Sequence, residues 1–250
     1  MFDQKPHLMG LRKLVNGSEG GVPRASLNEA IEILSRRGWL ASCDEEARSQ
    51  FIRMARLRMY PAGAVVYLEG DEPNGLYGLV SGALDVSIPR SDGSDFTIHR
   101  AQSGFWIGDL ATISQRARLV SIRTASDATL LHLGYQGLQS LLRKNPTLYR
   151  DLYRLTYDNF AMTSHLFASV SMPSSEARVA SRLLLQLACA PNPDGRVMIS
   201  QTDLAELVAL SLPTLQRTLR RLTDLGYIEQ RYREIRVSNR PGLLEVVGRI

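Results

Sequence analysis

Apolar positions along the chain change their period twice, and those changes divide it. Leu27, Ala30, Ile31 and Leu34 recur at helical spacing behind Ser26, and Ser26 with Glu29 makes a capping-box pattern. A second short helix is expected over residues 44–57. From Pro61 the texture becomes short apolar runs punctuated by Gly63, Gly70, Gly75, Gly82, Gly93, Gly104 and Gly108. Val65–Leu68, Leu76–Val80 and the alternating Leu84, Val86 and Ile88 predict strands, with turn chemistry at Ser81–Gly82 and Ser91–Asp92–Gly93. Many short strands at near-regular spacing predict an antiparallel β-roll or jelly roll that ends near Leu133.

Helical spacing then returns. Leu148, Leu152, Leu155, Asn159, Met162 and Leu166 step by four and three, a heptad seam with one polar position. Two readings stay open: a seam between two copies of the chain, with Asn159 fixing register, or a helix packed on its own domain. Pro173 forces a break. Ala177, Val179, Ala180, Leu183, Leu184 and Leu187 make a further amphipathic helix, stopped by Pro191–Asn192–Pro193–Asp194–Gly195.

The last stretch has the strongest punctuation. Ser200 caps a helix carrying Leu204, Leu207 and Val208, and Ala209–Leu210 is a tight connection. Ser211 caps a second helix with Pro213 in its first turn, burying Leu215, Leu219 and Leu222, and Gly226 closes it. Tyr227–Ile228 and Ile235–Val237 then flank a small hairpin. Helix, turn, helix and wing predict a winged helix-turn-helix. The fold class is therefore α+β: residues 1–25 a flexible leader, 26–135 a β-roll sensor domain with flanking helices, 136–170 a connecting dimerisation helix, and 174–250 the winged helix-turn-helix.

Composition narrows the chemistry. The chain has 250 residues, 44% of them hydrophobic, enough for two separate cores. No apolar run approaches a membrane span, and no apolar stretch follows Lys5, Arg12 and Lys13 as a signal peptide requires. Two cysteines, Cys43 and Cys189, exclude a four-cysteine iron–sulfur cluster and suit the cytoplasm. His7, His99, His132 and His165 are too scattered for a haem or metal site. A net charge of +5 permits nucleic-acid binding without establishing it. No Walker loop, His–Glu–x–x–His or Gly–x–Ser–x–Gly occurs, so an enzyme is not expected.

With the leucines of the second helix turned inward, Gln216, Arg217, Arg220 and Arg221 face out. Arginine can hold guanine's major-groove edge at two points and glutamine adenine's. Leu212 and Pro213 offer apolar contact to a thymine methyl. Hydroxyls at Ser200, Thr202, Ser211 and Thr214 suit phosphate contacts that position without reading sequence. The alternative is a solvated arginine-rich face.

The order of parts resembles the CRP/FNR superfamily of bacterial transcription regulators over roughly residues 36–240. Tyr60–Pro61–Ala62–Gly63, Glu69–Gly70–Asp71, Gly82, Gly108–Asp109–Leu110, Arg118 to Asp127, Glu176–Ala177–Arg178–Val179–Ala180 and the helix-turn-helix carry the likeness. The resemblance implies a homodimer on a two-fold symmetric double-stranded DNA operator, with RNA polymerase as a further partner and no membrane association. It also implies a small effector such as cyclic AMP in the β-roll. In the family's nucleotide-binding members a Gly–Glu–Leu stretch cups ribose, an Arg–Ser pair takes phosphate, and a Thr–Ser pair reaches the base. Here these positions are Gly108–Asp109–Leu110, Arg118–Leu119 and Thr163–Ser164. Asp109 reaches one methylene less than Glu, and Leu119 has no hydroxyl to donate. An internal Asp109–Arg118 ion pair in an empty pocket, with no effector, is the competing reading. A nucleotide-binding module of a signalling protein is a more distant one, since it leaves residues 174–240 idle.

Overall fold

The computed structural model describes residues 26–189 and 194–248; the glycine-rich leader over 1–25 and the prolines at 191 and 193 lie outside the described residues. Three helices come first: α1 (Leu27–Arg36), α2 (Trp39–Ser42) and α3 (Glu45–Ile52). Eight strands follow, β1 (Ala55–Tyr60), β2 (Val65–Tyr67), β3 (Gly75–Ser81), β4 (Leu84–Pro89), β5 (Asp95–Ala101), β6 (Trp106–Ile107), β7 (Ser121–Thr124) and β8 (Ala128–Gly134). Helix α4 (Asp109–Ser114) interrupts them between β6 and β7. They form two antiparallel four-stranded sheets, ordered β1-β8-β3-β6 and β2-β7-β4-β5. Tyr67, Leu79, Leu84, Ile122 and Leu130 fill the space between the sheets.

Ser26 and Glu29 make the reciprocal capping box that the sequence predicts. The helix expected over 44–57 is a correction: Asp44 caps α3, but α3 ends at Ile52 and residues 55–57 belong to β1. Strand β1 pairs with β8 along its whole length, from Ala55↔Leu133 to Tyr60↔Ala128. This long-range ladder outweighs the local helical spacing of Phe51 and Ala55.

The segment 136–170 is not one helix. α5 (Tyr135–Lys144) gives way to a 3-10 turn over Pro146–Leu148 before α6 (Tyr149–Val170) begins. Pro146 has no N–H with which to continue the helical ladder. The seam expected on this segment is also corrected. Leu148, Leu152 and Leu155 lie at most 3% exposed in one cluster with Trp39, Leu40, Cys43 and Phe51. The Trp39 indole N–H donates to the Asp151 carbonyl at 2.7 Å. Leu166 is buried, Met162 half-buried, and Asn159 bonds within its own chain. Helices α1–α3 supply that stripe with an apolar partner, which spacing along one helix cannot reveal. The face left uncovered carries Tyr149, Tyr153, Tyr157, Phe160 and Phe167, 40–77% exposed.

The remainder is α7 (Ser175–Cys189), β9 (Arg196–Met198), α8 (Gln201–Leu207), α9 (Leu212–Asp224), β10 (Ile228–Arg231), β11 (Glu234–Val237) and α10 (Arg240–Gly248). Val179, Leu183, Leu204, Leu215, Leu219 and Leu222 centre its core. Ser200 and Ser211 cap α8 and α9 as predicted, and the turn between these helices passes through Ala209 at φ 51. Strand β9 extends the wing hairpin to three strands, order β10-β11-β9.

Strand β5 joins the two halves. The Arg100 guanidinium takes both Asp85 oxygens, at 2.7 and 3.0 Å, and reaches Asp203 of α8 at 2.5 Å. Gln186 of α7 donates to the Arg100 carbonyl at 3.3 Å. These charges are about three-quarters or more buried, so the bridge is poorly screened. Arg100→Gln is expected to lower unfolding free energy by about 2 kcal/mol, since two largely buried carboxylates lose a charged donor. In denaturant titrations the Arg100→Gln and Asp203→Asn pair should couple by more than about 0.5 kcal/mol; additive losses would show that the bridge holds nothing.

His99, also on β5, is 1% exposed against Phe105, and neither ring nitrogen has a hydrogen-bond partner among the described residues. Burial, aided by nearby Arg182, lowers its pKa to about 3. The folded chain thus keeps His99 neutral while the unfolded chain protonates it near pH 6.5. Its stabilising neutrality is present above that pH and lost as pH falls toward 3. Relative to His99→Phe, the wild-type chain should lose up to about 1.4 kcal/mol per pH unit below pH 6. Parallel stability–pH curves for the two proteins would refute this.

Candidate functional site

Two places gather the residues singled out from sequence. The first is a cavity of about 740 Å³ between the β-strands and α6. Gly108, Asp109, Leu110, Arg118, Leu119 and Thr163 all line it, and Ser164 does not. Gly108 sits at φ 106, and a Cβ there would lie 2.5 Å from the Gly75 carbonyl and 2.7 Å from Arg118 Nη1. Only glycine fits between the strand and the guanidinium.

The two charged groups that the sequence singled out in this cavity are largely committed. Arg118, 2% exposed, donates from Nη1 to the Gly108 carbonyl at 3.2 Å and from Nη2 to the Gly75 carbonyl at 2.8 Å and to Asn74 Oδ1. Its guanidinium lies 4.1 Å over the Tyr67 ring, a cation–π contact. Asp109 is 3% exposed and accepts from Asn159 Nδ2 at 2.9 Å. Burial pushes its carboxyl above the usual range against the pull of Thr156, Asn159 and Arg118. The expected alternative of an Asp109–Arg118 ion pair is therefore corrected: each has a neutral partner instead. Asn159 also donates to the Trp106 carbonyl at 3.2 Å, so it ties α6 to the β-domain rather than marking a seam.

Leu119 is 65% exposed at the cavity's edge. The hydroxyls of Thr163 and Ser164 donate back to the Asn159 and Phe160 carbonyls of their own helix. Sequence reasoning missed Tyr67, Asn74 and Asn159 as partners of the pocket. Asn159 carried a signal, being polar in an apolar stripe, but that signal reads as well for a seam.

The second place is the outer face of α9. Gln216, Arg217, Arg220 and Arg221 are exposed there, with Leu215, Leu219 and Leu222 fully buried behind them. Arg217 and Arg220 make no ion pair among the described residues, whereas Arg221 is held by Glu176 of α7 at 2.9 Å. Leu212 and Pro213 are exposed in the first turn. Ser200 and Ser211 accept from the N–H groups of Asp203 and Thr214, and Thr202 is exposed beside them on α8. A polar chain missed in the sequence runs Gln216 to Gln201 to Gln230 to Thr223, linking α9, α8 and the wing. Arg231, Tyr232 and Arg233 stand at the wing tip, Tyr232 91% exposed.

Among the described residues no helix is long and apolar enough to cross a membrane, and no cluster of His, Cys, Asp or Glu is placed to hold a metal ion.

Comparison with known proteins meets both places. A family model described as the cyclic nucleotide-binding domain matches residues 57–145, and one described as the Crp-like helix-turn-helix domain matches residues 177–246; together they cover more than half of the chain. The chain is 23% identical over 184 residues to the cAMP-activated global transcriptional regulator CRP of Salmonella typhimurium, covering 71% of this chain and 87% of that one. It is 21% identical over 213 residues to the CRP-like cAMP-activated global transcriptional regulator of Mycobacterium tuberculosis, covering 83% and 95%. Among solved structures it resembles FixK2 from Bradyrhizobium japonicum, with a TM-score of 0.68, 20% identity and coverage of 76% and 96%. With both halves matched in this order, the chain belongs to the CRP/FNR superfamily of bacterial transcription regulators.

Proposed function

We propose that the chain works as a homodimer that reads a two-fold symmetric DNA operator through α9, under control of a small effector held in the β-domain cavity. The observation that carries the reading is the α9 face. It sets two arginines without ion-pair partners beside an exposed glutamine on the second helix of a winged helix-turn-helix. Arg217 and Gln216 suit base edges, while Arg221, tied to Glu176, suits a structural or phosphate-positioning role. Thr202 and the exposed first turn of α9 complete a polar and apolar rim for the major groove. RNA polymerase belongs to this proposal as the machinery on which such a regulator acts, in the cytoplasm and without a catalytic step of its own.

The dimer in this reading forms on the outer face of α6. Tyr149, Tyr153, Tyr157, Phe160, Ser164 and Phe167 step by four, four, three, four and three, the spacing of a coiled-coil seam. Exposed aromatics in such a stripe are a surface that soluble monomers rarely leave open. The occupant is a second copy of the chain, which brings two α9 helices to half-sites about one helical turn apart.

As effector, cyclic AMP finds its expected contacts taken. Arg118 is spent on backbone carbonyls and Asn74, Asp109 on Asn159, and Leu119 has no hydroxyl. Each lost charged hydrogen bond removes roughly 1.5–3 kcal/mol of affinity. The lining is mostly aliphatic and aromatic, which favours an effector with an apolar body.

Two measurements test these readings. Arg217→Ala should weaken binding to a selected operator by about 1–3 kcal/mol and relax the base preference at one position, while Phe160→Glu should give monomers by light scattering. A Phe160→Glu protein that stays dimeric would move the interface elsewhere, and an Arg217→Ala protein with unchanged operator affinity would remove α9 from base reading. Cyclic AMP at millimolar concentration should leave the thermal midpoint unmoved. A saturable rise of a few degrees, abolished by Arg118→Ala, would instead establish a cyclic-nucleotide regulator.

A further inference from the structure

The cavity contains a second cation, Arg182, which comes from α7 in the DNA-reading half. It is 1% exposed and lines the cavity with Val86, Ile98, Phe105, Ile107 and Leu166. Its Nη2 donates to the Ile98 carbonyl at 3.0 Å, and its buried Nε has no acceptor among the described residues. No Asp or Glu among the described residues pairs with it: Asp109, which lines the same cavity, accepts from Asn159, and Asp85 and Asp203 are both taken by Arg100. Burial lowers its pKa to about 10, so it remains charged at neutral pH.

A guanidinium has five N–H donors, and burying it without a counter-charge is strongly unfavourable. Arg118, in the same cavity, has an unpartnered Nε as well, but its two terminal nitrogens reach two carbonyls and Asn74, and its face lies over the Tyr67 ring. Arg182 has one carbonyl. The larger unmet demand for an anion therefore lies at Arg182, on the opposite half of the molecule from Arg118. Around it the walls are apolar, and the volume of about 740 Å³ falls within the range of pockets that enclose whole small molecules.

We propose that Arg182 is the anion-binding residue of this cavity, and that the ligand is an amphipathic organic anion. Its carboxylate or phosphate pairs with the Arg182 guanidinium, and its apolar body lies between β5 and α6. The inference rests on the reading of the cavity as an effector site. Because Arg182 belongs to α7 while Ile98 and Phe105 belong to the β-domain, such a ligand touches both halves at once. It binds more tightly when α7 is docked on β5 than when it is not, and that difference in affinity is what an effector needs to shift the arrangement of the DNA-reading helices.

The test is calorimetric titration of the full chain with decanoate, decyl phosphate, decan-1-ol and cyclic AMP, repeated on Arg182→Gln and Arg182→Lys. At least one of the two anions should bind the wild-type protein about tenfold or more tightly than decan-1-ol, which has the same body without the charge. Arg182→Gln should erase that advantage and leave decan-1-ol binding unchanged, and Arg182→Lys should restore part of it, which a mere loss of folding would not allow. Whichever of decanoate and decyl phosphate binds names the headgroup. Equal binding of alcohol and anions, or an anion advantage that survives Arg182→Gln, overturns the assignment of Arg182 while leaving the cavity an effector site. Cyclic AMP binding alone, indifferent to Arg182→Gln, does the same. Failure of all four compounds to bind overturns the effector-site reading as well.

Discussion

Helix α6 has to satisfy three neighbours with one surface, and most of the molecule's organisation follows from how that surface is divided. It runs 22 residues, about 33 Å, long enough to span the β-domain and reach the DNA-reading half. One stripe, Leu152 and Leu155 extended backward by Leu148, is buried against Trp39, Phe51 and the first sheet. A second, from Thr156 through Asn159 to Leu166, walls the cavity, whose lining also takes in Tyr153, Tyr157, Phe160 and Phe167. The third carries the exposed aromatics. With 3.6 residues per turn each stripe is narrow, so the leucines of the first stripe serve the core alone, while the aromatics from Tyr153 onward border both the cavity and the open face. Asn159 shows the consequence. By bonding Asp109 and the Trp106 carbonyl it fastens α6 to α4 and β6, and this fastening fixes which face is left uncovered.

That division also explains what the sequence could and could not disclose. Elements with local punctuation were legible: the Ser26–Glu29 box, the turns around Gly82 and Gly93, the Ser200 and Ser211 caps and the Gly226 stop all rest on interactions within a few residues. The orientation of α6 was not. Two stripes at heptad spacing run along it, one leucine-rich and one aromatic, and only the packing of α1–α3 decides which is inside. Strand β1 was misread for the same reason, since its partner β8 lies more than sixty residues away.

The cavity residues divide along similar lines. Gly108, Asp109, Arg118 and Thr163 were found through resemblance, and they line one cavity. What resemblance did not convey is that Arg118 and Asp109 already hold partners within the chain. Asn74, Tyr67 and Asn159, the groups that hold them, lie between 44 and 51 residues away in sequence and match no motif. Arg182 sits inside an amphipathic helix where an arginine reads as a solvated charge. Its burial arises only because α7 lies against β5.

Strand β5 is consequently where the cavity and the helix-turn-helix half meet. It contributes Phe96 and Ile98 to the cavity wall, its Ile98 carbonyl accepts from Arg182, and Arg100 two residues on grips α8 through Asp203. Ile98 falls at the irregularity between the Val86↔His99 and Ser87↔Thr97 pairs, two residues from Arg100, so a shift of the strand there moves both contacts together. The Arg100–Asp203 pair belongs to the first helix of the helix-turn-helix, whose packing positions α9. A ligand that alters the Arg182–Ile98 contact therefore acts on α7 directly and on α8 through two residues of one strand. No long pathway through the core is needed, because the two halves already touch at the wall of the cavity. The unfavourable burial of Arg182 is then the feature that makes the contact responsive: a fully satisfied arginine there would hold the halves together regardless of what the cavity contained.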